Sequence, residues 1–335
     1  MNSIKKVYIF GLFNAFYDSF YIKGIQDLYG KNKIVYDISK FPKFRQNTFA
    51  AIFQHEDGKE IKVVIDSRDT TEIWKEELVW CDVYGKINYS LNEIPIDFEF
   101  KIIAIGPSFE IKFWNFYESF FLGIKHTLNF KNALSNRTDY FANYWRQYKR
   151  LRLEEYYSKV VSLDNYVFFV SSIWKKESQT NRNRSNYIKA CKSNSKIIFE
   201  GGFAPRKDGD NLGFGALVIS KRFDLKAYFY KTKKTKIVFN TPAVLSCHGW
   251  KLGEFLAMSK AIISTNHKNI LPSPLDNNIH IVYVDENSFE DYSDKINKLI
   301  DDSEKRIELE ANAFKYFKDH LEPSVVIKKL LNFKI

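Results

Sequence analysis

Cysteine, methionine, proline and glycine are all scarce in this chain of 335 residues, with 3, 2, 8 and 14 copies respectively. Cys81, Cys191 and Cys247 form no close pair, and bridging any two would leave one over. Neither a disulfide scaffold nor a compact zinc site follows, and a reducing, cytoplasmic setting is the expectation. Low Gly and Pro content without a low-complexity tract excludes a collagen-like or largely disordered chain. Long apolar runs are missing too. Stretches such as Tyr166 to Val170 fall far short of the ~20 residues a membrane-spanning helix needs. Lys5 and Lys6 lead straight into a short strand-like run, so no cleaved signal segment is expected.

What is present is apolar and aromatic. Hydrophobic residues make up 45% and aromatic ones 17%, enough for packed cores, and the length suggests two domains. The aromatics fall within apolar stretches such as Phe113 to Phe121, where core packing is the expectation rather than stacking on bases. No zinc-finger, RRM or KH pattern is visible, and no nucleic-acid partner is expected.

The net charge of +11 is local. Residues 161 to 250 hold 16 Lys and Arg against 6 Asp and Glu, whereas residues 1 to 160 hold 23 against 20 and residues 251 to 335 hold 12 against 14. Lys175, Lys176, Arg182, Arg184, Arg206, Lys207, Lys231, Lys233 and Lys234 carry much of the excess. Such a cluster attracts phosphate or an anionic surface, and a solvated helix face is the plainer explanation.

Periodicity gives a strand at Val7 to Phe10, a helix through Phe20 to Leu28 and a strand at Ile34 to Tyr36. Further strands at Lys62 to Ile65 and Lys101 to Ile105 run into Asp66-Ser67-Arg68-Asp69 and Gly106-Pro107-Ser108, sequences suited to the carboxyl ends of parallel strands. A polar aromatic helix from about Tyr140 to Tyr157 marks the junction between domains 1–155 and 156–335. It is read as an interdomain brace, with contact to an anionic bilayer as the second reading.

Beyond it the alternation restarts: a strand at Tyr166 to Val170, a helix at Ser185 to Lys192, and a strand at Lys196 to Phe199 ending in Glu200-Gly201-Gly202. Then come a strand at Lys236 to Phe239, a helix from Trp250 to Ser259 and a strand at Ala261 to Ser264. Amphipathic helices fill Ser288 to Leu321, and a final helix at about 323–331 must pack somewhere. The fold class is α/β.

The segment Ser246 to Ser264 is the most informative. At 100° per residue Leu252, Phe255 and Leu256 share one helix face, and Glu254 points away from that stripe. A carboxylate near a helix start is commonly just a dipole contact. Here the loop before it is polar and the helix start offers N–H groups for phosphate, so Glu254 could accept ribose hydroxyls beside them.

Gly253-Glu254-Phe255-Leu256-Ala257 followed by Lys260-Ala261-Ile262-Ile263-Ser264 resembles the nucleotide-sugar segment of bacterial glycosyltransferases of the GT-B fold. Leu271-Pro272-Ser273-Pro274-Leu275 and His280-Ile281-Val282 resemble the family's late C-terminal domain. The likeness spans about 170 residues. It implies two Rossmann-like domains facing across a cleft, with 1–155 binding acceptor, 156–335 binding donor, and the last helix packing back on the N-terminal domain. Many members carry two glutamates eight apart, the second of which holds the donor ribose. Glu254 matches the second, and Ser246 stands where the first would be.

The resemblance further implies that Ser172 lies on a loop facing the donor and that Arg206, Lys207 and Lys251 neutralise its diphosphate. His248 contacts phosphate or donor, with a loop histidine bonded to backbone as the other reading, and Gly11 and Asn14 let the backbone approach the diphosphate or form a plain turn. Asp66 or Asp69 is the base in an inverting reaction, with Asp18 as a weaker alternative; helix capping near Thr70 is the structural explanation for the first two. No metal or cofactor is expected, because cations and a helix terminus can stabilise the leaving group. The partners implied are a nucleotide-sugar donor and a glycan or lipid-linked acceptor, in surface polysaccharide or lipopolysaccharide synthesis, at the inner face of the membrane. A nucleotide-sugar epimerase of the same fold and a non-catalytic nucleotide or polyanion binder stay open as alternatives.

Overall fold

The computed structural model of the chain describes residues 4–158 and 160–333. In chain order the elements are β1 (Ile4–Phe10), α1 (Ser19–Tyr29), β2 (Ile34–Asp37), β3 (Phe49–His55), β4 (Glu60–Asp66), α2 (Lys75–Trp80), β5 (Val83–Lys86), β6 (Ile102–Ala104), α3 (Phe116–Asn129), α4 (Arg137–Tyr148) and α5 (Leu153–Tyr157). There follow β7 (Tyr166–Ser171), α6 (Ser178–Ser193), β8 (Ile198–Phe203), α7 (Leu225–Lys234), β9 (Ile237–Asn240), α8 (Trp250–Ala257), β10 (Ala261–Ser264), β11 (Val282–Tyr283), α9 (Phe289–Asp301), α10 (Ser303–Tyr316) and α11 (Pro323–Leu331). The chain is mixed α/β and divides into two compact units. The first takes residues up to Tyr156, Ile270–Ser273 and everything from Asp319 on; the second takes Tyr157–Asn269 and Pro274–Lys318. Among the described residues no helix is long and apolar enough to cross a membrane.

The first unit is built on one six-stranded sheet in the order β2-β1-β3-β4-β5-β6. All strands are parallel except β3, which runs antiparallel to both β1 and β4. Strands β3 and β5 lie outside the sequence expectation. A tight turn joins β3 to β4: Gly58 adopts φ 86°, and the His55 N–H donates to the Lys59 carbonyl at 2.8 Å. An L side chain is strained in that left-handed region, so glycine is the residue that fits the turn. Val7, Ile9, Ala51, Phe53, Val63, Ile65 and Val83 are buried along the sheet. Helix α11 closes this unit against α1 and β5, and glycines permit the approach. A Cβ on Gly24 would lie 2.3 Å from the Pro323 carbonyl oxygen, and one on Gly85 would lie 2.8 Å from Leu330.

The expected long helix at Tyr140 to Tyr157 is two helices, α4 and α5, broken at residues 149–152. The helix expected near Thr70 begins only at Lys75, so neither Asp66 nor Asp69 caps it.

In the second unit β9, β10 and β11 form one parallel sheet and β7 and β8 a parallel pair. Strand β7 lies beside β9, where side-chain and flanking bonds replace a regular ladder. The Lys236 N–H donates to the Tyr166 carbonyl (2.9 Å), and the Phe168 N–H donates to Thr235 Oγ1 (2.8 Å). The spatial order is β8-β7-β9-β10-β11, and the direction of winding reverses between β7 and β9. Ligands of open parallel sheets gather outside the carboxyl ends of the strands at such a reversal. Helices α6 and α9 cover one face over Val167, Phe169, Tyr187, Phe239, Ile263 and Tyr292. Strand β8 continues through Gly201 and Gly202 to Phe203 and does not end at the pair. Both glycines have φ near 140°, and a Cβ on Gly201 would overlap the Phe169 carbonyl oxygen at 1.9 Å. Their role is close strand packing, not a terminus.

Candidate functional site

At the carboxyl ends of β7 and β9 one side chain spans the reversal point. Arg184 rises from α6 and is 7% exposed. Its Nε donates to Thr241 Oγ1 just after β9, and one terminal nitrogen donates to the Ser172 carbonyl just after β7, both at 2.9 Å. Burial pulls its guanidinium down to about 10, an unusual position for an arginine. Lys251, in the first turn of α8, donates to the Val170 carbonyl, and its ammonium lies 5.3 Å from the Phe169 ring centre and 5.5 Å from that of Tyr228. Burial chiefly, and then the nearby Arg184 charge, lower its pKa to about 7, with Glu254 opposing. Two desolvated cations therefore stand together, and carbonyls with two carboxylates, Glu177 acting on Arg184 and Glu254 on Lys251, compensate them.

Glu254 is buried, not turned outward. Helix α8 is enclosed from Leu252 through Ala257, so the face opposite its apolar stripe also meets protein. The Glu254 charge acts on Lys251 and helps to raise the Tyr228 phenol, for which burial is the larger cause. Gly253 is buried in the same turn. The loop before α8 is strained: Leu245 and Ser246 adopt φ 55° and 60° in succession. Each such residue costs on the order of 1–3 kcal/mol and persists where surroundings impose it. Here the Leu245 N–H donates to Glu177 Oε1 (2.8 Å), and the Ala243 N–H to the Cys247 carbonyl (2.9 Å).

His248 is buried on this loop with its ring 5.5 Å from that of His267. His267 belongs to a chain the sequence did not reveal. Asn240 Nδ2 donates to Ser264 Oγ (3.0 Å) and faces His267 Nε2 at 3.2 Å, while His267 Nδ1 lies 3.0 Å from the Tyr283 hydroxyl. With Asn240 as donor, Nε2 is the accepting nitrogen and the proton sits on Nδ1. Burial lowers the His267 pKa to about 4, which keeps this ring neutral.

Arg206 and Lys207 stand differently from their expected role. The turn Arg206-Lys207-Asp208-Gly209 folds Asp208 back onto Arg206, whose Nε and terminal nitrogen donate to its two carboxylate oxygens at 2.9 and 2.7 Å. A further nitrogen donates to the Ile173 carbonyl (2.7 Å), and Lys175 adds a second cation 2.9 Å from Asp208. Arg206 is thus charge-compensated, and Lys207 is exposed. The cations the site offers are Arg184 and Lys251. A separate crevice of about 410 Å³ opens at the other, amino end of β7, where Tyr166 and Lys231 already donate to Glu200 at 2.6 and 2.7 Å.

In the first unit, Asp66 ends β4 with its side chain 2% exposed. Its Oδ1 accepts from the Arg68 backbone N–H (3.1 Å) and Nε (3.0 Å), and its Oδ2 from Arg68 (2.6 Å), Tyr84 (2.7 Å) and Lys86 (2.8 Å). Burial works against ionisation, but Arg68 and Lys86 outweigh it and the carboxyl stays below its usual pKa. A carboxylate held this way is a poor base, so the expected catalytic role of Asp66 gives way to a structural one. Asp69 is exposed on the following loop.

Gly11 is buried, its N–H donates to the Asp37 carbonyl (2.8 Å) and its carbonyl accepts from Tyr140, while a Cβ there would lie 2.5 Å from the Phe130 ring. Asn14 organises the β1–α1 loop: its Oδ1 accepts from the Phe16 (3.0 Å) and Tyr17 (3.3 Å) N–H groups. The Asn14 N–H in turn donates to Asp18 (2.8 Å), whose carboxyl is pushed up to about 8 by burial. Among the described residues no three His, Cys, Asp or Glu side chains group as metal ligands.

No family model and no curated protein matches the chain. The chain is similar to solved glycosyltransferase structures. One is the C-terminal domain of the glycosyl transferase group 1 family protein LpcC from Francisella tularensis, at 18% identity over 48% of this chain and 86% of that one, with a TM-score of 0.32. A glycosyltransferase from Rickettsia africae matches at 12% identity over 78% of this chain and 67% of that one, with a TM-score of 0.44. TarM of S. aureus, in a complex that includes UDP, matches at 10% identity over 86% and 67%, with a TM-score of 0.43.

Proposed function

We propose that this chain is a glycosyltransferase that takes its sugar from a nucleotide diphosphate donor held in the second unit. The observation that carries the reading is the pair of desolvated cations, buried Arg184 and half-buried Lys251, at the carboxyl ends of β7 and β9. Isolated buried charge is costly, and an anion that enters beside both would relieve that cost. The pyrophosphate of the donor sits against Arg184, Lys251 and the start of α8, with Ser172 and His248 on the loops beside it. Glu254 accepts from the ribose, the role implied by its place in the Gly253 to Ser264 segment.

When the bond between the anomeric carbon and the phosphate oxygen breaks, the electron pair leaves with the nucleoside diphosphate. Fixed cations nearby lower that barrier, and loss of one such donor typically costs about 3 kcal/mol. The incoming oxygen is a hydroxyl of a glycan or lipid-linked glycan, in synthesis of a surface polysaccharide. Titration with UDP-, GDP-, dTDP- and CMP-sugars tests the reading: one of the three diphosphate donors should bind, and its sugar should appear on an added acceptor. Binding by none of those three, or by the monophosphate CMP-sugar alone, would overturn it, and conversion of the donor into another nucleotide sugar without any acceptor would turn it into an epimerase.

A further inference from the structure

Helix α3 is built inside out. Phe116, Tyr117, Phe120, Phe121, Ile124 and Leu128 fall within an arc of about 140° at 100° per residue, and every one of them is exposed. Tyr117, Phe121 and Leu128 are 70%, 63% and 62% exposed. The face turned into the first unit carries Ser119, Gly123 and His126 instead. His126 Nδ1 lies 2.7 Å from the Tyr144 hydroxyl, and Gly123 lets the Phe141 ring approach to within 3.1 Å of where a Cβ would be. Of the stretch Phe113 to Phe121, Trp114 packs in the core against Tyr144, whereas Phe116, Tyr117, Phe120 and Phe121 do not. The apolar surface continues onto α4, where the Trp145 and Tyr148 rings lie 6.0 and 5.7 Å from that of Phe116.

The helix is not a frayed segment that happens to be apolar. Asn115 and Glu118 close a reciprocal cap at its start, with the Glu118 N–H donating to Asn115 Oδ1 (3.0 Å) and the Asn115 N–H to Glu118 Oε2 (3.1 Å). An ordered helix with a contiguous aromatic face in water marks a surface that a partner covers.

Charge selects the partner. Residues 112 to 152 hold eight Lys and Arg against two carboxylates. Glu118 is paired with Lys31 and Asp139 with Arg146. Lys112 and Lys149 lie over the Tyr148 and Trp145 rings, at 4.4 and 4.6 Å, so cations stand at the margin of the aromatic surface. Lys125 and Lys131 are exposed along and just beyond α3. A second copy of this chain would set cations against cations, whereas an anionic bilayer matches both the apolar face and its basic rim.

We propose that α3, with the adjoining face of α4, docks the first unit on an anionic lipid surface, its aromatic rings at headgroup depth. This goes beyond the donor site and does not rest on it. Flotation of the full chain with phosphatidylglycerol-containing vesicles, and with phosphatidylcholine alone, tests it. The chain should float with the anionic vesicles, and raised salt should release it. Replacing Phe121→Ser with Leu128→Ser should cut partitioning at least about tenfold, and Lys125→Glu with Lys131→Glu should do so at low salt only. All four side chains are exposed, so circular dichroism should show each variant folded. Failure of the unaltered chain to float, or equal flotation of folded variants, would overturn the proposal. So would a dimer in sedimentation that Phe121→Ser with Leu128→Ser dissolves, since the face would then join two copies.

Discussion

The two units place different electrostatic arrangements at the carboxyl ends of their strands. In the first, a carboxylate at the end of β4 accepts directly from Arg68, Tyr84 and Lys86, and Glu72, 3.6 Å from Arg68, supplies the second negative charge, so that two cations meet two carboxylates within the protein. In the second, Arg184 and Lys251 donate to backbone carbonyls and the Thr241 hydroxyl, with the Glu177 and Glu254 charges acting on them. A closed ionic cluster contributes to holding strand ends together, while an open one is poised for an anion from outside. Fold position alone does not make a site; the balance of charge within it does.

Asp66→Asn is the hardest test of that contrast. It leaves Lys86 and Arg68 buried without their carboxylate and should destabilise the first unit by ~3–5 kcal/mol, read by denaturant unfolding. Arg184→Met should do the reverse: nucleoside diphosphate affinity falls about a hundredfold by calorimetry while stability holds or rises, because a costly buried charge is gone. If Arg184→Met unfolds the protein and Asp66→Asn does not, the contrast is drawn the wrong way round.

A pH series sharpens it further. With its pKa near 7 in the free protein, Lys251 is cationic below that pH, so diphosphate binding should weaken as pH rises from about 6 to 9. Lys251→Met should flatten the profile. The same shift sets a stability trend: the unfolded lysine keeps its proton up to about 10.4. Between the two values the unfolded chain binds more protons, and this group makes folding more favourable as pH increases. The opposite trend is expected at Asp18. Its folded pKa of about 8 lies above the unfolded value, so the stability it contributes is present below about pH 4 and lost as pH rises to 8. The melting temperature of Asp18→Asn should gain on that of the unaltered chain over this range.

Strands β1, β7, β9 and β10 and helix α11 are legible from apolar period and turn residues alone. So is the pull of Glu254 and Lys251 toward one turn of α8, since both sit within a few residues of each other. Strand β3 escaped although its signal is present: five apolar residues, Phe49 to Phe53, followed by Asp57-Gly58, the dipeptide that favours a hairpin turn. Arg184 could not be singled out from the charge cluster, because its partners Ser172 and Thr241 are 12 and 57 residues away and meet only through the sheet. Arg206 was visible as a cation, while its pairing with Asp208 two residues on was not. Helix α3 teaches a different limit. A periodic apolar face says that something will cover it, and says nothing about whether the cover belongs to the same chain.

Helix α11 also bears on the order in which the protein takes shape. Because the Pro323 carbonyl and Leu330 pack against Gly24 and Gly85, one helical cover of the first unit is missing until the residues up to 331 have been made. The second unit, whose residues end at Lys318, can settle first. A strand that is read early thus waits on a helix that is read late.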